Sequence, residues 1–322
     1  MIFNSKQPIT LLILLGPTGV GKTDISLKVA EIIPEIEIIS ADSMQIYKYL
    51  DIGTAKPDKN ILKRIKHHLI DIIEPDETFD AVQYSDLARK IILDIFQRNK
   101  KPMLVGGSGL YISSLIEPLF SGPGKDIILR RFLEETAKKY GNEYLYAQLS
   151  KLDPDSASRI KKNDLRRIIR ALEVYKITGQ PISHLQKKEL NKNSKLGFEY
   201  KIIGLIRKRE NLYQRINLRV DKMIEKGFIE EVDSLRKKGY KKNLNSMQGL
   251  GYKEINKYLD NEIDKETAIY LIKRNTRHYA KRQITWFKNK IKSIEWIVLD
   301  ENDEKKVVDR IIKIIQEIYF NF

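Results

Sequence analysis

Gly16-Pro17-Thr18-Gly19-Val20-Gly21-Lys22-Thr23 sets three glycines and a Lys-Thr pair within eight residues. That spacing belongs to a loop that grips phosphate. Glycines let successive backbone N–H groups converge on phosphate oxygens, and a helix starting at the lysine adds the positive end of its dipole. Lys22 supplies a point charge, and the Thr23 hydroxyl is placed to hold Mg2+. The loop alone does not name a reaction. A nucleotide hydrolase also needs an acid at a strand end to hold the metal and a residue to position water. Asp42, in ISADSMQIY, is the acid in view. At the end of a predicted strand it faces the same crevice as the loop. There it can serve as a magnesium ligand, as a general base, or as the cap of the following helix. These residues alone leave all three roles open.

The surrounding pattern says what must hold these groups. ITLLILL, continuous, apolar and closed by glycine, predicts a buried strand, and Asp24 to Ile33 predicts a helix through Ile25, Val29 and Ile32/Ile33. IEIIS predicts a second strand. AVQYSDLARKIILDIFQRNK predicts a helix burying Leu87, Ile91/Ile92 and Ile95/Phe96, and KPMLVGGSG a strand breaking into glycines before the helix LYISSLIEPL. Strands alternating with helices predict an α/β fold with a parallel sheet. FSGPGKD at 120 to 126 reads as a linker, and the pattern from Ile127 to about Leu196 is helical, polar and basic. A strand candidate returns at 200 to 206. The expected organisation is a core of 1–121 and 199–322 interrupted by a helical insertion at 122–198.

Charge is concentrated. The chain of 322 residues carries 59 Lys+Arg against 43 Asp+Glu, a formal +16. Residues 201–292 alone hold 24 basic and 11 acidic groups, a net +13, whereas 293–322 hold 4 and 7. Concentrated excess points to a polyanionic partner docking on one region, although an AT-rich genome also inflates lysine. On the helix ENLYQRINLRVDKMI, Leu212, Ile216, Val220 and Met223/Ile224 are expected to face inward beside Arg215, Arg219 and Lys222. On ETAIYLIKRNTRHYAKRQITWFK, an apolar stripe of Ile269, Ile272, Ala280 and Phe287 runs beside Arg274, Arg277, Lys281 and Lys288, with Tyr279 and Trp286 interleaved.

The chain has no cysteine, so disulfides, thiolate zinc sites and cysteine nucleophiles are excluded, and a reducing cytoplasm is expected. No run approaches the ~18 apolar residues that span a membrane. MIFNSKQPITLLILL lacks a small-residue cleavage site and reads as a strand, not a signal peptide. His67 and His68 have no further ligand at metal-binding spacing, and His184 and His278 read as structural or surface residues.

GPTGVGKT, ISADSMQIYKYLDIGTAKP, HHLIDIIEP, GGSGLYISSL, NDLRRIIRALEVYKITGQP, MQGLGYKE and TRHYAKRQITWFK occur in that order. Together, from residue 12 to about 288, they resemble the bacterial tRNA dimethylallyltransferase (tRNA isopentenyltransferase) family. DSMQIY with GTAKP, and KRQITWF, are far more specific than the phosphate loop.

The resemblance implies a P-loop core whose cradled diphosphate belongs to dimethylallyl diphosphate, and transfer of the dimethylallyl group to N6 of the adenosine 3′-adjacent to the anticodon in tRNA. By the same resemblance Asp42 is the base that takes the N6 proton. Ser108 stands beside the reacting centre. Lys22, the loop N–H groups, Mg2+ near Thr23, and Arg215 and Arg219 stabilise the leaving diphosphate. Contacts to the anticodon stem-loop are implied for Asp42, Ser43, Met44, Gln45, Ser108, Arg130, Arg166, Arg167, Arg170, Gln248, Gly251, Tyr252, Lys253, Lys281, Arg282, Gln283 and Lys288. The insertion is implied to clamp the RNA, Gln45 and Gln248 to read base edges, and the target base to be flipped out of its stack. A monomer is expected. The rival readings are a P-loop kinase for a small metabolite or nucleoside, which has no use for the +13 region, and an RNA-binding module with a vestigial loop.

Overall fold

Leu11 to Leu15 are all inaccessible to solvent. A run buried on both faces must be a central strand of a sheet covered on both sides. The structure, a computed structural model, describes residues 9–117, 120, 122–192, 198–300 and 304–320. The first eight residues and Ser121 of the expected linker lie outside them.

β1 (Ile9–Leu15) leads through the glycine loop into α1 (Lys22–Ile32), β2 (Ile36–Ala41), α2 (Lys59–Arg64), the two-residue β3 (His67–His68), α3 (Ala81–Gln97), β4 (Lys101–Gly106) and α4 (Gly109–Ile116). Five helices follow: α5 (Ile127–Tyr140), α6 (Asn142–Leu152), α7 (Pro154–Ala157), α8 (Leu165–Thr178) and α9 (Ile182–Lys192). The chain then forms β5 (Phe198–Ile206), α10 (Arg209–Glu225), α11 (Phe228–Lys237), α12 (Tyr252–Leu259), α13 (Lys265–Lys290), β6 (Ile294–Val298) and α14 (Glu304–Tyr319).

The sheet order is β3-β2-β4-β1-β5-β6, with every pair parallel. Parallel strands place all their C-terminal ends on one edge, and a ligand crevice opens there where neighbouring connections diverge. β1 continues to β2 on one side and is flanked on the other by β5, so the glycine loop sits at such a point. α1 and α14 pack on one face, where Leu12, Leu14, Val29, Val308, Ile311 and Ile315 share a core. A second core gathers Val220, Phe228, Val232, Tyr252 and Ile272 from α10 to α13.

Two compact units result: Met1–Glu117 with Gly197–Phe322, and Pro118–Leu196. Phe198, expected in the insertion, pairs with Ile9 as the first residue of β5. In the second unit α5 to α9 bury Leu133, Leu145, Leu149, Ile168 and Leu172.

Some details depart from the expected pattern. Ile32 is 57% exposed, because α1 turns its Ile25–Val29 side to the sheet. α3 buries Tyr84, Ala88, Ile92 and Ile95, a stripe one residue removed from Leu87 and Phe96. β6 and α14, read as no element in the sequence, complete the sheet edge and one layer.

Candidate functional site

The glycine loop leaves β1 with Gly19 at φ +79° and Gly21 at φ +112°. Side-chain-bearing residues pay for the left-handed region, so these two glycines allow the tight return. Gly21 is the N-cap of α1 and makes no side-chain cap bond. The first-turn N–H groups therefore remain available to an anion. Lys22 Nζ donates to the carbonyls of Gly16 (2.8 Å) and Pro17 (2.9 Å). Desolvation lowers its pKa to about 7, against the opposing pull of the Asp42 carboxylate and with the push of Arg219.

Asp42 lies just past β2. Its Oδ1 accepts the backbone N–H of Met44 at 2.9 Å and of Gln45 at 3.4 Å. That turn aims it at the same cavity as Thr18, Lys22 and Thr23. Ser108, just past β4 and buried, accepts the Ser43 N–H at 2.9 Å. Acid and hydroxyl thus sit on neighbouring strand ends.

α10 brings the cations. Arg215 Nε donates to the Gly19 carbonyl at 3.1 Å, and Arg219 lies inside the cavity, its pKa lowered by desolvation. Arg207 Nε holds the Val20 carbonyl (2.9 Å) while its Nη1 pairs with Asp300 (2.7 Å). The cavity, about 310 Å3, is lined by Lys22 and Arg219 and also by Ile216, Val220, Met223, Phe228, Tyr252 and Ile272. The charged groups suit a multiply charged anion, the apolar ones a short hydrocarbon.

The remaining expected residues divide. Ser43, Met44 and Gln45 line the cavity. Gln45 does not present a free amide to a base edge: its Oε1 accepts from Ser40 Oγ and its Nε2 donates to the Thr54 carbonyl at 3.2 Å. Gln283 is buried and faces the glycine loop, not the exterior, with Thr18 N–H donating to its Oε1. Tyr252 is a core residue whose hydroxyl donates to Glu231, and Gly251 caps α12 ahead of it. Lys253 lies 3.6 Å from Glu254. Gln248, exposed, donates to the Lys242 carbonyl. Lys281, Arg282 and Lys288 lie on the exposed face of α13, with the Arg282 guanidinium 5.9 Å from the Tyr279 ring centre.

In the second unit Arg130 and Arg170 do not offer unengaged guanidinium groups. Both bind Glu173, whose side chain is fully buried, each at 2.7 Å. Burial would raise the Glu173 carboxyl, but these arginines and the Asp126 N–H hold it at about 2. Arg166 and Arg167 are exposed, Arg167 lying 3.4 Å from Asp164.

Sequence reasoning gave Glu231 no role, took Tyr279 only as an aromatic interleaved in a basic row, and took Gln283 as an RNA contact. Glu231 accepts the N–H groups of Asp51, Ile52 and Gly53, fixing the GTAKP loop. Tyr279 lines the cavity within hydrogen-bonding reach of Ser108, and burial, then Asp42, raises its pKa to about 12. Gln283 follows Ala280 by three residues and precedes Phe287 by four, so its place in the buried stripe was readable from periodicity. Among the described residues no cluster of three or more His, Asp or Glu side chains offers a metal site. His67 Nδ1 meets the Ile65 carbonyl, and His68 pairs with Glu37.

A protein-family model described as IPP transferase matches residues 45–290. The chain belongs to this family. It is 48% identical over 97% of its length, and 94% of the relative's, to the tRNA dimethylallyltransferase of Halothermothrix orenii. The Natranaerobius thermophilus tRNA dimethylallyltransferase is 47% identical, with 96% and 92% covered. Among solved structures, the full-length tRNA isopentenylpyrophosphate transferase of Bacillus halodurans superimposes with TM-score 0.70 at 40% identity, covering 96% of each chain. A eukaryotic dimethylallyltransferase acting on tRNA gives TM-score 0.79 at 27% identity, covering 97% of this chain and 80% of the other. No helix among the described residues is long and apolar enough to cross a membrane.

Proposed function

We propose that this chain transfers the dimethylallyl group of dimethylallyl diphosphate to N6 of the adenosine 3′-adjacent to the anticodon in tRNA, releasing diphosphate. One observation carries the reading: an anion cradle, a carboxylate and a set of apolar side chains line one cavity. N6 of adenine is a weak nucleophile, so a base that removes its proton as the C–N bond forms lowers the barrier. Asp42 is that base. As the allylic C–O bond breaks, negative charge builds on the diphosphate, where Lys22, the α1 N–H groups and Arg219 meet it. Arg215 reaches the same loop from its exposed side. Ser108 fixes the Ser43 backbone and thereby the aim of Asp42.

The donor set suits a magnesium ion held largely by substrate oxygens: Thr23 offers one hydroxyl at the cavity, and no cage of carboxylates surrounds it among the described residues. When bound, Mg2+ adds positive charge at the diphosphate. The RNA lies over the basic surface of 201–292, with Lys281, Arg282 and Lys288 on phosphates and the target base everted toward Asp42. The chain acts as a monomer in the cytoplasm.

The test offers radiolabelled dimethylallyl diphosphate, Mg2+ and unmodified tRNA. Label is expected in the RNA with no ATP consumed. ATP consumption without prenyl transfer assigns the chain to the small-molecule kinases instead.

A further inference from the structure

α13 places a polar side chain where its stripe demands an apolar one. Ala280 and Phe287 are fully buried, and Gln283 between them is 6% exposed. A buried amide without partners is strongly unfavourable, so its bonds explain why it is tolerated. Both bonds go to backbone atoms of other elements. The Thr18 N–H of the glycine loop donates to Gln283 Oε1 at 2.9 Å, and Gln283 Nε2 donates to the Gly107 carbonyl at 2.8 Å. Thr18 follows β1 and Gly107 follows β4, and these strands are paired up to Leu15 and Gly106. The side chain therefore bridges the strand end that carries the glycine loop and the one that carries Ser108, next to the β2 end that carries Asp42. A Cβ on residue 107 would stand 2.5 Å from Nε2, so glycine is what permits the approach.

The path continues beyond the bridge. Next to Gly107, Ser108 accepts the Ser43 N–H, and Ser43 adjoins Asp42. Tyr279, one turn earlier on α13, lies within hydrogen-bonding reach of both Ser108 and Gln283. Three hydrogen bonds, joined through the Gly107–Ser108 and Asp42–Ser43 peptide links, thus connect the loop to the turn that carries the carboxylate. We propose that Gln283 is a positioning residue that sets the distance between the diphosphate cradle and Asp42. This deepens the proposed function and rests on it for its kinetic consequence. Attack and departure occur at one carbon, so nucleophile and leaving group must be held in register, and a misplacement of about 1 Å can cost roughly 100-fold in rate.

Gln283→Met keeps the length and removes both bonds. Expected are a kcat for prenyl transfer lowered 10- to 100-fold, a KM for dimethylallyl diphosphate and an RNA affinity within threefold of wild type, and amide exchange at Thr18 at least tenfold faster. Gly107→Ala pushes the Gln283 amide away without altering it, and its kcat loss is expected not to add to that of Gln283→Met. An unchanged kcat, or an unchanged Thr18 exchange rate, overturns the proposal. So does a weakened RNA affinity with kcat intact at saturating RNA, which makes Gln283 an RNA contact. If wild-type protein alkylates no RNA, the functional reading fails, while Thr18 exchange still decides whether the bridge exists.

Discussion

The Ser43 N–H donates to Ser108 Oγ at 2.9 Å, joining the residue after Asp42 to the first residue past Gly106–Gly107. A carboxylate held by its own turn and by a neighbouring strand end loses little orientation freedom before reaction. That rigidity makes the role proposed for Asp42 separable from RNA binding.

Asp42→Asn keeps the oxygen that accepts the Met44 N–H and removes the charge. Turnover is expected to fall about 10^2- to 10^4-fold, the usual contribution of a general base. RNA affinity should stay within a few-fold. Single-turnover rates and filter binding check this, and an equal loss in both refutes the assignment.

Lys22 predicts a pH dependence of anion binding. In the free protein desolvation brings its pKa to about 7. A diphosphate alongside favours the ammonium, so the pKa rises on binding and a proton is taken up. Near pH 7 about half a proton should be bound per diphosphate, and affinity should fall as pH rises above 7. Calorimetry in buffers of different ionisation heat measures the uptake. Lys22→Met should abolish it.

Glu173 anchors Arg130 and Arg170 from a fully buried position. Its carboxyl is held at about 2, below its ordinary value, so its contribution to stability is complete above about pH 4.5 and is lost as pH falls through 2. Glu173→Gln leaves two guanidinium groups short of a counter-charge and should cost about 3 kcal/mol at neutral pH. Denaturant unfolding at pH 7 and pH 3 tests both the size and the sign.

Lys281 and Arg282 lie on the exposed face of α13 and do not line the cavity. Converting both to Gln should weaken RNA binding and reduce the slope of log K against log salt by roughly one per lost phosphate contact. Binding of diphosphate should be unaffected. An unchanged slope removes the RNA from this face.

Chain order alone made several features legible. The glycine loop, the buried β1 run and the α10 stripe of Leu212, Ile216, Val220 and Met223 depend on residues within a few positions of one another, and periodicity reports such local relations directly. β6 was missed because IEWIV is short and its partner β5 lies some ninety residues earlier. The contacts of Arg130, Arg170, Gln45 and Gln283 were not readable as such. A polar residue in a basic, RNA-like context looks available in sequence, whether or not an internal partner takes it.

Composition and spacing by themselves determined the phosphate loop, the α/β alternation, the basic region and the absence of thiol chemistry, because each is a property of residue type or of near neighbours. Only the tertiary structure decided which polar groups face the cavity and which brace it. Gln283 meets Thr18 across 265 residues of chain. A side chain's role at that range is set by the closing of the sheet and the helix above it, which no local pattern encodes.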